Sequence, residues 1–432
     1  MKKILAILLI LQGVLMATQI KELEVNKEKI TILYEEGKYI PIISMQLVFS
    51  NAGHLSEGIN GLAGLSASLL NEGTSKDGSI GFASKLDAHA VDISAHVGRE
   101  SFVIEISSLK SEFSYAFARL VELLKDPNYT VKALGQIKHQ KLGWLSQKKG
   151  DFNHIASTAL RQELFRGTAL AEPYDGTLES IKAIEVKDIE DFILSHLGSN
   201  NLTIVVGGDI VFEEISAYVK QLVPLFPKVA NQPIQAIKAS DKRQTLVIEE
   251  ETQQATLFFG SPFDYSYKAQ DQHLAKIAEY LLGGAGFGSR MMEELRVKRG
   301  LTYGIYASLR RTKPVSYLSG YMQTKLSTQD EAKALIQKVV DDFIKDGITA
   351  KELEDTKNFL LGSEPLRTET LSQRLSRAFN DYYYERPLGF AKIQLQKLEA
   401  VTLEEVNAFI KSHTELSALS FAIVTQSKTA QK

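Results

Sequence analysis

The sequence has no cysteine and no excess of charge of either sign. Its 432 residues include 50 Lys and Arg and 52 Asp and Glu, which gives a formal net charge of −2. The lack of cysteine excludes disulfides, thiolate zinc sites and a lipid-modified N-terminal cysteine. Because the opposite charges are interspersed along the chain, nothing in it points to nucleic acid or to an anionic membrane surface as a partner.

Long apolar runs are also missing, except at the N-terminus. Two lysines follow Met1 and precede the apolar run ILAILLILQGVLMA, which is short for a helix that spans a bilayer. A basic start followed by such a run is typical of a secretory signal. We therefore predict a signal peptide over residues 1–17, export to a bacterial periplasm and no stable membrane span after cleavage. The alternative is a retained N-terminal membrane anchor.

The rest of the chain contains a long internal repeat. Each half reads as two strands, an apolar-periodic helix, a second helix, a pair of strands and an amphipathic helix. Leu282 lies 212 residues after Leu70, and Lys345 lies 220 residues after Lys125 in matching contexts. This order predicts an α+β fold in which each half forms an antiparallel sheet with helices on one side.

The repeat also predicts the domain boundaries. The polar segment PKVANQPIQAIKASDK, residues 227–242, is the expected linker. It separates an N-terminal domain over residues 18–226 from a C-terminal domain over residues 243–432. We expect the two homologous domains to form two half-shells around a cleft.

Self-contained catalytic motifs are absent from the sequence. A zinc helix needs two histidines at i, i+4, but of the eight histidines the closest pair, His89 and His96, is seven residues apart. The Ser-x-x-Lys patterns SSLK and SQKK lack the companion motifs of serine acyl-transfer enzymes. We interpret each histidine as a surface or structural residue.

A glycine-rich stretch, GGAGFGS, begins at Gly283. It lacks the lysine of a P-loop, and a helix rather than a strand precedes it, so it does not predict a nucleotide site. We interpret its glycines as a flexible backbone strip that admits a substrate chain. These residues are Gly283, Gly284, Gly286 and Gly288.

The stretch SRMMEELRVKRGLTYGIYAS carries the most informative polar pair. Arg296 and Tyr303 lie seven residues apart across a predicted helix–turn–strand junction marked by Gly300. Together an arginine and a tyrosine hydroxyl donate hydrogen bonds to a polarised carbonyl or an oxyanion. The alternative is a surface arginine and an unrelated core tyrosine.

At these residues the chain resembles the insulinase/pitrilysin family of zinc peptidases, in the shorter branch that includes the mitochondrial processing peptidase. The stretch GLAGLSASLLNEGT stands where the family has Gly-x-Ala-His-x-x-Glu-His, followed by an apolar residue and Gly-Thr. The stretch LLGGAGFGSRMMEELRVKRGLTYGIYA is similar to the signature of the family's second half. With the tandem repeat, the resemblance covers nearly all of the chain after residue 17.

The resemblance implies a degenerate zinc site. The first zinc histidine falls on Gly64, the general-base glutamate on Ala67 and the second zinc histidine on Ser68. The third ligand, a glutamate, falls within Gly143–Leu145, where there is no carboxylate. We therefore expect this chain to bind no zinc itself.

The family's substrate-positioning pair, in contrast, is intact at Arg296 and Tyr303. The resemblance therefore favours a non-catalytic, substrate-positioning subunit of a heterodimeric periplasmic zinc metallopeptidase. The zinc would lie on a sister subunit, and an extended peptide would bind along a sheet edge. Two alternatives stay open: a structural or peptide-binding scaffold without a role in proteolysis, and a stand-alone zinc peptidase with unrecognised ligands.

Overall fold

A computed structural model describes residues 18–230 and 232–427 of the chain. The predicted signal peptide, residues 1–17, lies outside these ranges. None of the helices within them combines the length and the hydrophobicity that crossing a bilayer requires. The strands are β1 (Gln19–Val25), β2 (Glu28–Glu36), β3 (Ile42–Ser50), β4 (Asp92–Val97), β5 (Ser101–Leu109), β6 (Leu202–Gly208), β7 (Thr245–Glu249), β8 (Gln254–Pro262), β9 (Ile305–Arg311), β10 (Ser316–Lys325) and β11 (Ser420–Thr425).

The helices occupy the segments between these strands. They are α1 (Leu62–Leu70), α2 (Gly78–Asp87), α3 (Phe113–Lys125), α4 (Val131–Lys148), α5 (Phe152–Leu164), α6 (Leu178–Ala183), α7 (Val186–His196), α8 (Phe212–Leu222), α9 (Gln272–Glu279), α10 (Arg290–Met292), α11 (Gln329–Asp346), α12 (Ala350–Gly362), α13 (Leu371–Tyr383), α14 (Phe390–Ala400) and α15 (Leu403–Ser412). Two π-helical turns, Tyr280–Gly284 and Glu293–Val297, follow α9 and α10.

The chain divides into two compact units, and each contains a segment from the opposite half of the sequence. The first unit runs from the N-terminus to Leu145 and includes Pro173–Ile234 and Arg367–Asn380. The second consists of Ser146–Glu172, Gln235–Leu366 and the chain from Asp381 onward. The division after Ile234 falls inside the expected linker 227–242. Continuous domains over 18–226 and 243–432, however, do not account for Ser146–Glu172 and Arg367–Asn380, which each belong to the unit formed mainly by the other half of the sequence.

The first unit is built on a six-stranded sheet in the order β1-β2-β6-β3-β5-β4. Neighbouring strands are antiparallel except β2 and β6, which run parallel with Thr31 opposite Thr203. Strand β6 is buried along its whole length, as expected for a continuous apolar run in the middle of a sheet. Strand β4 is an edge strand and lies beside α1.

The second unit repeats this plan with a five-stranded sheet in the order β7-β11-β8-β10-β9. Its only parallel pair among the described residues is β7 with β11. The predicted α+β class is confirmed, and the sheets are antiparallel as predicted except for one parallel pair in each. In each unit the last strand returns after the helices and inserts between two earlier strands, which creates one parallel pair.

Helices cover one face of each sheet and, in part, the other face as well. The main core of the first unit joins β-strand residues such as Met45 and Ile104 to helix residues such as Leu65 and Phe117. On the opposite face, Leu371 and Leu375 of α13 lie against Gly207, where a Cβ atom would be 2.9 Å from Leu375. The prediction of helices on one side only is therefore incomplete.

The second unit uses the equivalent helix in the same way. Leu160 and Leu164 of α5 lie against Gly260 in β8, on the face opposite the main core. Helix α5 begins at Phe152 and α13 at Leu371, 219 residues later, so the exchanged helices are repeat counterparts. Helix α5 covers the second face of the sheet β7–β11, and α13 covers that of the sheet β1–β6, so each helix packs on a sheet formed by the other half of the sequence.

Candidate functional site

Helix α1 carries the positions where the resemblance places the zinc motif. It begins after Gly61, whose φ of 89° is in the left-handed region that favours glycine. The carboxylate of Glu57 accepts hydrogen bonds from the backbone N–H groups of Gly61, at 2.9 Å, and Ala63, at 2.7 Å. A carboxylate at a helix N-terminus satisfies donors that have no partner within the helix. The helix is therefore well held, with most of its side chains in the core.

The degenerate motif faces an open cavity of about 620 Å³ in the first unit. Gly64, Ala67 and Ser68 line one side, and Trp144 on α4 lines another. Trp144 is the member of the predicted third-ligand window Gly143–Leu145 that reaches the cavity. The structure thus brings together the four positions that the resemblance assigns to zinc chemistry.

The residues at these positions do not fit a zinc ion. Gly64 and Ala67 have no side-chain donor atom, and the indole of Trp144 only donates hydrogen bonds. The hydroxyl of Ser68 donates to the backbone oxygen of Gly64 at 2.9 Å. Among the described residues, no three His, Cys, Asp or Glu side chains are grouped so that they could hold a metal ion.

A lysine further disfavours a cation in this cavity. Lys141 lines it, with its ammonium group 2.8 Å from the Asp175 carboxylate and 4.3 Å from the centre of the Trp144 ring. His54 and His96, which we interpret as structural or surface residues, also line the cavity. His54 lies 3.5 Å from the position that a Cβ atom of Gly64 would take.

Asn71, directly after α1, closes part of the β4 edge. Its side-chain amide donates to the backbone oxygen of Ala95 at 2.9 Å and accepts from the Ala95 N–H at 2.7 Å. Farther along, the N–H of His54 donates to the Gly98 oxygen at 3.0 Å. An edge strand normally offers such groups to an added strand. At Ala95 they are already bound.

We expect Asn71→Ala to release this part of the edge. The Ala95 amide should exchange its hydrogen about fivefold faster, since one hydrogen bond contributes about 1 kcal/mol. Hydrogen exchange measured residue by residue by NMR tests this. Asn71→Asp is the matched control, because it keeps the acceptor for the Ala95 N–H and should retain protection. Equal exchange at Ala95 in the wild type and in Asn71→Ala would contradict the assignment.

In the second unit, the glycine-rich stretch begins inside one π-helical turn and ends before a second one. The first, Tyr280–Gly284, includes Gly283, and the second, Glu293–Val297, includes Arg296. Both are closed by i to i+5 hydrogen bonds, from Ala285 N–H to Tyr280 and from Lys298 N–H to Glu293. Single π-helical turns occur frequently at functional sites.

The four glycines that we interpret as a substrate-binding strip have different environments. Gly283 is buried, and a Cβ atom there would lie 2.6 Å from the Cβ atom of Ala307 in β9. It follows Asn71 by 212 residues, as Ala307 follows Ala95, so the two close approaches are repeat counterparts. Gly284 and Gly288 are exposed and Gly286 is half-buried with a φ of 57°.

Arg296 and Tyr303 are in contact. The guanidinium carbon of Arg296 lies 4.5 Å from the centre of the Tyr303 ring and 4.4 Å from that of Phe287, so two rings hold it. Tyr303 is 87% exposed, which excludes the alternative of a core tyrosine. Cation–π contacts within about 6 Å are attractive, by roughly 0.5–1 kcal/mol at exposed sites.

No carboxylate among the described residues neutralises Arg296. Glu294, a carboxylate on the same turn, is bound by Lys298 at 2.7 Å and by Arg299 at 2.6 Å. These hydrogen bonds hold the pKa of Glu294 below its usual range. The guanidinium donors of Arg296 therefore remain available to a bound molecule.

Sequence comparisons place this site within a known family. Residues 31–177 match the model described as Insulinase (Peptidase family M16), and residues 183–360 match the model described as Peptidase M16 inactive domain. A Helicobacter pylori protein named Non-peptidase homolog YmxG is 40% identical over 432 residues, covering 99% of both chains. The chain belongs to peptidase family M16.

Solved structures of the M16 fold superimpose on almost the whole chain. A Pseudomonas fluorescens structure described as a peptidase M16 inactive domain has a TM-score of 0.86 and 23% identity, covering 95% of this chain and 98% of that one. A Helicobacter pylori structure described as a protease has a TM-score of 0.80 and 14% identity, covering 95% and 100%. The predicted family and the two-half α+β fold are confirmed.

An ion pair fixes the backbone that carries Arg296 in this M16 chain. Arg290 donates from Nε and Nη2 to the two carboxylate oxygens of Glu352 in α12, at 2.8 and 2.9 Å. The buried Ser289 hydroxyl donates to the Gly286 oxygen and accepts from the Met292 N–H. These bonds tie the glycine-rich loop and the start of α10 to the body of the unit.

The Arg290–Glu352 pair predicts acid sensitivity. Burial disfavours the charge on Glu352, but hydrogen bonds from Arg290 and Thr349 more than offset this, and the pKa of Glu352 lies below its usual range. A depressed folded-state pKa stabilises the fold above the ordinary glutamate value of about 4.3 and ceases to do so as the pH falls through the lowered pKa. Urea unfolding of Arg290→Met should therefore show a smaller loss of stability between neutral and acidic pH than the wild type.

Lys351→Met is the matched control for this experiment. Lys351 pairs with Asp355 on the same helix, but both side chains are well exposed. Exposed pairs contribute little, so its pH dependence should follow the wild type. Identical pH profiles for Arg290→Met and the wild type would show that the half-buried pair has no such role.

Two contact residues of these sites, Asn71 and Phe287, are not among the residues that sequence reasoning identifies. Asn71 is a polar residue between an apolar helix and Gly73, where an ordinary helix end is the simplest interpretation. Phe287 stands out only as the one large side chain in a glycine-rich loop. Neither pattern has a specific chemistry until the fold places Ala95 and Arg296 beside it.

Proposed function

We propose that this chain is a non-catalytic, substrate-positioning subunit of a heterodimeric zinc metallopeptidase that acts on peptides or proteins. The zinc would be bound by a sister subunit of the same family. The observation that carries this proposal is the contrast between the two halves. The zinc-motif positions have no suitable zinc ligands, whereas Arg296 forms no ion pair with the described residues and lies beside an exposed Tyr303.

The Arg296–Tyr303 pair suits the binding of a peptide oxygen. The guanidinium and the phenol hydroxyl donate hydrogen bonds to a carbonyl oxygen, and bind more strongly to the negative charge that develops on it during cleavage. Neither group needs to lose or gain a proton for this role. The chain's own contribution is thus binding, orientation and charge stabilisation.

Two comparisons support a pair of unlike subunits. The 40%-identical relative from Helicobacter pylori is named a non-peptidase homolog, and a structure described as a protease with the same fold comes from the same species. Helicobacter pylori therefore has a relative of this chain named a non-peptidase homolog and a protein of this fold described as a protease. The basic, apolar N-terminal sequence supports export, and the periplasm is the location that we propose for the complex.

Co-purification from the native host, followed by zinc analysis and a peptidase assay, tests the proposal. We expect a family member with an intact His-x-x-Glu-His motif to purify with this chain and to cleave peptides faster in its presence. All of the zinc should belong to the partner. The mass of the chain tells whether it begins at Thr18. Purification without such a partner, or a partner whose activity ignores this chain, would refute the proposal.

A scaffold role is the second candidate, and Asn71 favours it. With the Ala95 backbone groups already bound, peptide addition at this point of the β4 edge would require Asn71 to move first. A scaffold would need neither the arginine nor the tyrosine. The same complex carrying Arg296→Ala and Tyr303→Phe would then keep its full function.

A further inference from the structure

The strongest unassigned feature is Phe287, an exposed aromatic side chain inside the glycine-rich loop. It is 66% exposed, and its ring centre lies 4.4 Å from the guanidinium carbon of Arg296. Tyr303 holds the same guanidinium from a second ring at 4.5 Å. A single exposed apolar side chain is ordinary by itself, but Phe287 differs because its ring lies against a guanidinium group.

The loop presents Phe287 in a defined place. The π-helical turn Tyr280–Gly284 precedes it, and Gly286 takes a positive φ that redirects the chain. Directly after it, the buried Ser289 hydroxyl bonds to the Gly286 oxygen. The ends of this short loop are thus fixed, and Phe287 projects from it onto Arg296.

The rings of Phe287 and Tyr303 reduce the conformational freedom of the Arg296 side chain. An arginine side chain in solvent has many rotamers, and ordering it costs free energy each time it binds a ligand. A carboxylate partner would order it but would occupy its donors. Aromatic faces hold the planar guanidinium through its flat side and leave the N–H groups at its edge free.

We propose that Phe287 is a positioning residue which, with Tyr303, clamps Arg296 so that its donors face a peptide oxygen. This inference rests on the proposed function for its ligand, a peptide chain, but not for its test. The clamp also explains why the glycine-rich loop contains one bulky residue. Small neighbours on either side leave room for the ring beside the guanidinium.

The test compares Phe287→Ala and Phe287→Tyr with the wild type in the full chain, without any partner. The Nε–H signal of Arg296 in NMR spectra reports the aromatic clamp, since stacked rings displace its resonance. The ligand probe is N-acetyl-trialanine, which offers peptide carbonyls and one carboxylate but no charged side chain. Its binding is followed through the same signal.

We expect Phe287→Ala to remove part of the ring displacement and to weaken probe binding two- to fivefold, in line with one exposed cation–π contact. Phe287→Tyr should restore both. Leu366→Ala, an equally exposed apolar residue of the same unit, is the matched control and should change neither. If Phe287→Ala leaves the Arg296 signal and the affinity at wild-type values, the clamp is refuted.

The outcome separates this inference from the proposed function. The probe titration needs no zinc-bearing partner, whereas the proposed function is tested by stimulation of one. If the titration shows the predicted effects of Phe287 but co-purification finds no partner, the role of Phe287 is supported and the proposed peptidase complex is refuted. If a partner is found but Phe287→Ala changes neither the Arg296 signal nor the affinity, the complex is supported and the clamp is refuted.

Discussion

A chain with Gly64→His, Ser68→His and Trp144→Glu is expected to bind one zinc ion where the native chain has no ligands. Histidines at i, i+4 on a helix face the same side, and a carboxylate from a second helix completes the usual set of three protein ligands. All three positions line the same cavity of the first unit. We expect binding that is roughly micromolar or tighter, about −8 kcal/mol or better.

The backbone can accept these side chains. A Cβ atom at Gly64 would contact only His54, at 3.5 Å, which is an ordinary van der Waals distance. Replacing a glycine inside a helix by histidine also favours the helix, by a few tenths of a kcal/mol. The charge of Lys141 works against the metal, but Asp175 at 2.8 Å neutralises much of it.

Metal analysis after gel filtration measures the result. The matched control is the variant with Gly64→His, Ser68→Ala and Trp144→Glu. It also lacks the Trp144 indole but has one introduced histidine fewer, so it should bind much less zinc. If the full triple variant folds and holds no more zinc than the control, α1 does not have the geometry of a zinc site. The interpretation of α1 as a degenerate zinc helix would then be wrong.

The second large effect is expected for Arg296→Ala in the complex with the zinc-bearing subunit. Removing one donor to a developing oxyanion typically lowers kcat by about 10²- to 10³-fold. Because the interaction is strongest in the transition state, kcat should fall much more than KM rises. Steady-state kinetics on a peptide substrate measures both parameters.

Two variants make this result specific. Tyr303→Phe keeps the ring beside Arg296 and removes only the hydroxyl, so its loss of activity should be smaller. Arg299→Ala removes a neighbouring arginine whose guanidinium is paired with Glu294 at 2.6 Å, and it should behave as the wild type. A complex with Arg296→Ala that cleaves peptides at the wild-type rate would favour the scaffold role.

The sequence predicts most of the fold because its signals are periodic and repeated. Apolar helices such as α1 and α3, and alternating strands such as β3 and β5, follow directly from local patterns. The insertion of β6 and β11 into the sheets does not, since strand order depends on contacts between distant segments. The exchange of α5 and α13 is hidden for the same reason.

At the candidate site, the sequence shows the loss of the zinc ligands but not the contacts made by Asn71 and Phe287. Gly64 and Ala67 have no side-chain ligand atom in any conformation, and the Ser68 hydroxyl is a poor zinc ligand, so the loss of the zinc motif can be read directly from the sequence. The roles of Asn71 and Phe287 depend on partners 24 and 9 residues away, at Ala95 and Arg296. Only the folded backbone brings those partners within reach.

The exchange of α5 and α13 also determines when this protein can complete its fold. Folding of a multidomain chain usually starts with the N-terminal domain while the rest is still being synthesised. Here the first unit includes Arg367–Asn380, so its second sheet face stays uncovered until most of the chain exists. The first unit can therefore reach its native packing only after α13 has been synthesised.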